Sequence, residues 1–256
     1  MKGTTMKPRI GSFVLSAVLC LGFALLATCG GGGGSGQTSG GTGSIAVQLH
    51  VGDQQGVTVA QIICGQTPIV DVVAQVYDET NTLIASGGPW ACEAHEGTIS
   101  DVPAGCARTV VVLGRDEGSV NVYRGQVTIC VVANQNNPAD VVLTPFSAPT
   151  IVSPTGGTCF SGDSLMWDSP WAEFALQFAL DNDGTFDFNN PDLSIGSVAS
   201  EDTPRQYNLP ANLLPDLTSY FWRAQAIDPF GNESAWSSPI IVGTPEALFF
   251  YSSSGC

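Results

Sequence analysis

Six cysteines downstream of residue 40 carry most of the reactive capacity of this 256-residue chain: Cys64, Cys92, Cys106, Cys130, Cys159 and Cys256. A thiolate can attack a carbonyl, hold a metal or pair with a second sulfur. None of the six stands at zinc-knuckle spacing, and His95 is a lone neighbour of Cys92, so the spacing favours sulfur–sulfur pairing. Four fall between residues 44 and 145, where three connectivities are open. Cys64 and Cys92 are centred on residue 78, beside Glu79-Thr80-Asn81, while Cys106 and Cys130 are centred on Gly118, which ends Asp116-Glu117-Gly118. Bridges across the open ends of two hairpins suit disulfide geometry, so Cys64–Cys92 and Cys106–Cys130 are expected. Cys159 then remains for Cys256.

Asp181, Asp183 and Asp187, interspersed with Asn182, Gly184, Asn189, Asn190 and Asp192, set hard oxygen donors at alternating positions, as calcium loops do. The pattern is half of an EF-hand: Ala179 stands where an acidic residue is wanted, and no glutamate closes the ring. The same residues suit a hairpin turn, because Asn, Asp and Gly tolerate positive φ. Both readings, Ca2+ and turn, stay open. Catalysis lacks raw material: His50 and His95 are the only histidines, no Gly-x-Ser-x-Gly elbow is present, and nothing pairs two carboxylates at a cleft. No catalytic residue is assigned and no enzyme is expected.

The elements that must position these groups begin with a leader. Lys2, Lys7 and Arg9 precede an almost wholly apolar run from Phe13 to Leu26, the layout of an export signal, and that run is short for a permanent membrane span. It ends in Leu26-Ala27-Thr28-Cys29, which resembles the lipobox of bacterial lipoproteins. The resemblance implies cleavage before Cys29, acylation of that cysteine and, with Gly30 following it, sorting to the outer membrane. Two or more alkyl chains anchor stably, so the expected membrane partner is a bilayer held through the N-terminal lipid. Residues 30–43 are too rich in glycine to pack and read as a tether spanning about 20 Å. Export also places the cysteines where disulfides persist. After residue 28 no lysine remains, and Arg108, Arg115, Arg124, Arg205 and Arg223 face 23 acidic residues, a net charge of −18. Such a surface repels phosphate, which excludes nucleic acid as a partner.

From Ser44 onward, short alternating apolar runs recur between Gly, Asn, Asp and Pro clusters, the pattern of an all-β protein. Two consecutive β-sandwich (immunoglobulin-like) domains are expected, at 44–145 and 146–243, after the 1–28 signal peptide and the 29–43 acylated tether, with a 244–256 tail. In the first, strands are expected at Ile45–Val51, Val70–Tyr77, Thr82–Ser86, Gly97–Val102, Arg108–Leu113, Val120–Tyr123, Val127–Val132 and Val141–Leu143. Val102-Pro103-Ala104-Gly105, then Arg108-Thr109-Val110-Val111-Val112 and Tyr123-Arg124-Gly125, resembles the prealbumin-like or carboxypeptidase-regulatory domains of bacterial surface proteins. In the second, Leu165-Met166-Trp167, Leu214-Pro215, Tyr220, Trp222-Arg223-Ala224-Gln225-Ala226, Asp228, Gly231-Asn232 and Trp236-Ser237 resemble fibronectin type III domains. The stretch Asp181 to Pro204 is longer and more polar than the middle of that family. Alternation puts Tyr220, Trp222, Ala224 and Ala226 on one face and Phe221, Arg223 and Gln225 on the other, which makes Trp167 and Trp222 core residues.

In that frame Trp171 and Phe230 fall in loops at one end of the sandwich, where they either stack a sugar or peptide or bury against the first domain. The combined reading is a non-enzymatic cell-envelope protein, a structural spacer or a protein-binding or adhesion module with an envelope protein or glycan as partner. Carbohydrate binding through Trp171, Phe230 and Ca2+ is the alternative, and an uncharacterised hydrolase the third reading.

Overall fold

The computed structural model describes residues 40–51, 60–61, 64–154, 164–181, 185–210, 213–214 and 219–243. The described chain is β throughout, apart from a single 3-10 turn at Cys92–Ala94. It forms two sandwiches with separate cores.

The first module holds β1 (Thr42–Val51), β2 (Ala60–Gln61), β3 (Asp71–Tyr77), β4 (Leu83–Ala91), β5 (Glu96–Pro103), β6 (Gly105–Arg115), β7 (Asn121–Val131) and β8 (Asn136–Pro145). Their order is β2-β1-β8-β7-β6-β3-β4, with β5 also on β1. β1 runs parallel to β8, and β7 meets β8 only at Tyr123↔Pro145 and Arg124↔Thr144, so the path turns a corner there. Period-2 alternation then fills the interior: Ile45, Val47 and Leu49 of β1 and Ala139, Val141 and Leu143 of β8 meet Val72, Ala74 and Val76 of β3 and Val110 and Val112 of β6.

β6 departs from half-buried alternation. Val110, Val111, Val112 and Leu113 are all buried, because Val111 and Leu113 point away from the core into a second apolar cluster with Tyr77, Val73 and Phe230 of the second module. A run without polar interruption marks a strand covered on both faces.

One expectation is corrected. The two strands expected at Val120–Tyr123 and Val127–Val132 are one, β7, running Asn121–Val131, and the Gly125 within it is not a break. A Cβ on Gly125 would collide with the Val142 carbonyl oxygen, so glycine is there to let β8 approach. Trp90 uses glycine in the same way: its indole lies over Gly87 and Gly97 and packs against the core, leaving no room for a Cβ at Gly97.

The second module sets β9 (Thr150–Ser153), β10 (Ser164–Asp168) and β13 (Arg205–Asn208) in one sheet, ordered β13-β10-β9. The other sheet is ordered β12-β11-β14-β15, with β16 also on β14, from β11 (Glu173–Leu180), β12 (Leu193–Ala199), β14 (Ser219–Ile227), β15 (Glu233–Trp236) and β16 (Ile240–Gly243). Trp167 of β10 meets Trp222 of β14 edge-on across the core, with Phe174, Leu176 and Phe178 of β11 around them. Tyr220, Trp222, Ala224 and Ala226 are all buried, as the alternation of β14 requires.

Substituting Gly97→Ala is expected to push Trp90 off its seat and cost about 1–3 kcal/mol. A urea melt followed by tryptophan fluorescence measures both effects, and an unchanged midpoint would mean that the glycine seat is dispensable.

Candidate functional site

Two groups of side chains stand out: the joint between the modules and an aromatic face on the second. The joint centres on Arg124, on the outer face of β7, and Asp228, just after β14. Arg124 Nε donates to Asp228 Oδ2 at 2.5 Å, and the two side chains are 8% and 0% exposed. Arg124 Nη2 also donates to Gln126 Oε1 at 2.8 Å. The guanidinium lies 4.9 Å from the Trp171 ring centroid and 5.8 Å from that of Phe230. Asp228 Oδ1 accepts the backbone N–H groups of Phe230 and Asn232, each at 2.8 Å, and the Asn232 amide donates to both carboxylate oxygens. A charge pair taken from water is tolerable only when its remaining lone pairs are satisfied, and these are.

Rings and strand surfaces close around the pair. Phe230 packs on Tyr77 with centroids 4.4 Å apart, Trp171 meets Phe146 edge-on at 5.1 Å, and Asn121 Nδ2 donates to the Glu233 carbonyl at 2.9 Å. Burial, and then the Asp228 carboxylate, push the Tyr77 phenol above its ordinary pKa of 10.0, against opposing effects of Asn232 and Arg124. The structure therefore places Trp171 and Phe230 in contact with the first module. A ligand platform built on them would require the joint to open.

The aromatic face lies on the outer side of β14, toward the opposite end of that strand. Phe186 packs on Phe221 at 4.4 Å and on Phe188 at 5.2 Å, yet stays 43% exposed. Beside them the Arg223 guanidinium lies between the rings of Phe188 and Trp236, 4.2 and 4.5 Å from their centroids, with Nε and Nη2 both donating to Gln177 Oε1. Burial lowers the Arg223 pKa. Phe186 and Phe188 come from the long segment between β11 and β12, and both rings lie over the outer side of the sheet. In the sequence they are masked by the acidic residues around them; their spacing of two, opposite the outward Phe221, was the available signal.

The acidic loop itself is partly committed to backbone. Asp187 Oδ1 accepts the Asn189 N–H at 2.8 Å and Asp192 Oδ2 the Leu180 N–H at 2.6 Å, while the Asp181 N–H donates to the Ser219 carbonyl. Asp183 lies outside the described residues, among which no cluster of three metal-ligating side chains forms. Cys64 is bonded to Cys92 and Cys106 to Cys130. Cys29, Cys159 and Cys256 lie outside the described residues.

Every arginine downstream of residue 28 is likewise occupied. Arg108 donates to the Pro103 and Ala104 carbonyls, Arg115 is bidentate on Asp71 at 2.7 and 2.9 Å, and Arg205 donates to the Ser169 and Ser200 carbonyls. With Arg124 and Arg223 held as described, no arginine among the described residues is left without a partner.

No protein-family model matches the chain, and neither does any curated protein. Among solved structures it is similar to a DUF3823 family protein from Bacteroides ovatus, at 11% identity over 79% of this chain and 98% of that one, with a TM-score of 0.26. The fimbrial anchor protein Mfa2 of Porphyromonas gingivalis is similar at 10% identity over 77% and 82%, TM-score 0.34. Fibronectin(III)-like modules of Clostridium thermocellum CbhA are similar at 16% identity over 73% and 83%, TM-score 0.26.

The raised Tyr77 pKa has a definite sign. The folded chain holds the phenolic proton more tightly than the unfolded one, so this contribution to stability is complete below pH 10 and is lost as the pH rises through the folded value. Comparing urea midpoints of the natural chain and Tyr77→Phe between pH 8 and about 11 is expected to show a steeper alkaline loss in the natural chain. Parallel curves would remove Tyr77 from the joint's pH response.

Proposed function

We propose that this chain is a non-enzymatic, lipid-anchored protein of the bacterial cell envelope that binds another protein through the aromatic face of its second module. The lipid is carried by Cys29, behind an export signal and ahead of the glycine-rich tether. Oxidised hairpin bridges in the first module support a location outside the cytoplasm. The outer membrane is the proposed site of anchoring.

The observation that carries the binding role is Phe186, a large ring 43% exposed on top of Phe221 and Phe188. Exposed rings gathered on one sheet face are a usual mark of a protein-binding patch. Asp187 and Asp192 are exposed around it, and the nearby Arg223 is already held between two rings. The partner that fits is a protein surface with an apolar centre and a basic rim. Glycan recognition at Trp171 and Phe230 is not favoured, because those rings enclose Arg124. A third bridge, Cys159–Cys256, is proposed to staple the C-terminal tail.

Two measurements test this reading. Cells fed labelled palmitate should mark the chain, and Cys29→Ala should abolish the mark; peptide mapping without reductant should recover three bridges. With a photo-reactive residue at position 186, cross-links to one basic protein should form on intact cells and vanish in Phe221→Asp, while the melting temperature changes little. Cross-links that survive Phe221→Asp, or none at all, would overturn the binding role.

A further inference from the structure

Three hairpin turns share one five-residue design: Asp78–Thr82, Asp116–Val120 and Asp228–Asn232. In each, the aspartate N–H donates to the carbonyl four residues on, at 3.0, 3.0 and 2.9 Å, and its own carbonyl accepts from the residue three on, at 3.0, 2.9 and 3.0 Å. In each, Oδ1 accepts two further backbone N–H groups, from Thr80 and Thr82, from Gly118 and Val120, and from Phe230 and Asn232. The fourth residue has positive φ every time: Asn81 at 59°, Ser119 at 60° and Gly231 at 81°. One local solution to reversing a strand has been used three times.

The third copy differs in its surroundings. The hydrogen bonds of the Asp78 and Asp116 carboxylates stay within their own turns. Asp228 is buried, and its second oxygen reaches Arg124 on the other module, 104 residues away in sequence. Phe230, whose N–H that turn fixes, is the residue that enters the apolar cluster of Tyr77, Val111 and Leu113.

We infer that the Asp228 turn is an interdomain latch: the carboxylate that shapes the β14–β15 hairpin also docks the modules, so hairpin order and docking are gained or lost together. The two sandwiches then behave as one cooperative unit with no hinge between them. The other two turns are internal controls, since they carry the same local hydrogen bonds without the docking contact. The inference stands apart from the binding role proposed for the aromatic face, which lies elsewhere on β14.

The test uses the mature chain and three variants. Asp228→Asn keeps the turn's acceptor but leaves Arg124 buried and uncompensated; Arg124→Met leaves the turn chemically intact; Asp116→Asn alters a control turn. The natural chain and Asp116→Asn should each melt in one calorimetric transition and give the same X-ray scattering distance distribution. Asp228→Asn and Arg124→Met should each raise the undocked population on the order of 100-fold, split the transition in two and broaden the scattering distance distribution. Arg124→Met should also speed amide exchange at Phe230 and Asn232, the readout that separates a latch from a mere turn. A single transition with unchanged scattering in Arg124→Met, or the same splitting in Asp116→Asn, would overturn the inference.

Discussion

A carboxylate with no access to solvent must be surrounded by donors, and that requirement at Asp228 organises the meeting of the two modules. Leaving water costs an ion several kcal/mol, which only close, well-directed partners offset. Asp228 obtains them from its own turn and from Arg124, and Arg124 in turn needs the flat faces of Trp171 and Phe230 to shed its hydration. Each group in the joint satisfies a need created by another. The apolar outer residues of β3 and β6 then supply area that is favourable to bury but indifferent to orientation, so the charge pair sets the geometry and the hydrophobic contact adds to it.

The arginines show how an acidic chain spends its few cations. None of the five downstream of residue 28 is left to attract a ligand; each ties backbone carbonyls, a carboxylate or a carboxamide into place. Their planar, multi-donor heads suit this role better than a lysine would. With five arginines against 23 acidic residues, the chain past residue 28 is strongly negative, which favours solubility and discourages association with anionic lipid or polysaccharide.

Sequence legibility follows the range of the interactions. β14 could be read residue by residue because burial of alternate side chains is written in its own pattern, and the hairpin turns at Asp78 and Asp116 because their chemistry is local. β7 was misread because Gly125 answers to a carbonyl of β8, which no local rule can see. The pairing of Arg124 with Asp228 was equally invisible, being a contact between residues 104 apart, although the unbroken apolar run Val110–Leu113 carried a hint that β6 is covered on both sides. Burial at the interface was one of two uses open for Trp171 and Phe230, and only the folded arrangement distinguishes them. The exposed ring of Phe186 and the half-buried ring of Phe188 were hidden among aspartates that dominate the composition of their segment.

The doubly covered β6 bears on how such a gene can be inherited. A sandwich whose outer sheet is polar can be copied, shuffled and spliced onto new neighbours as an independent cassette. Here Val73, Tyr77, Val111 and Leu113 form a greasy wall that is harmless only while the second module leans on it. Recombination between the two would release a half prone to clump, so the pair is expected to pass through evolution as a single indivisible block.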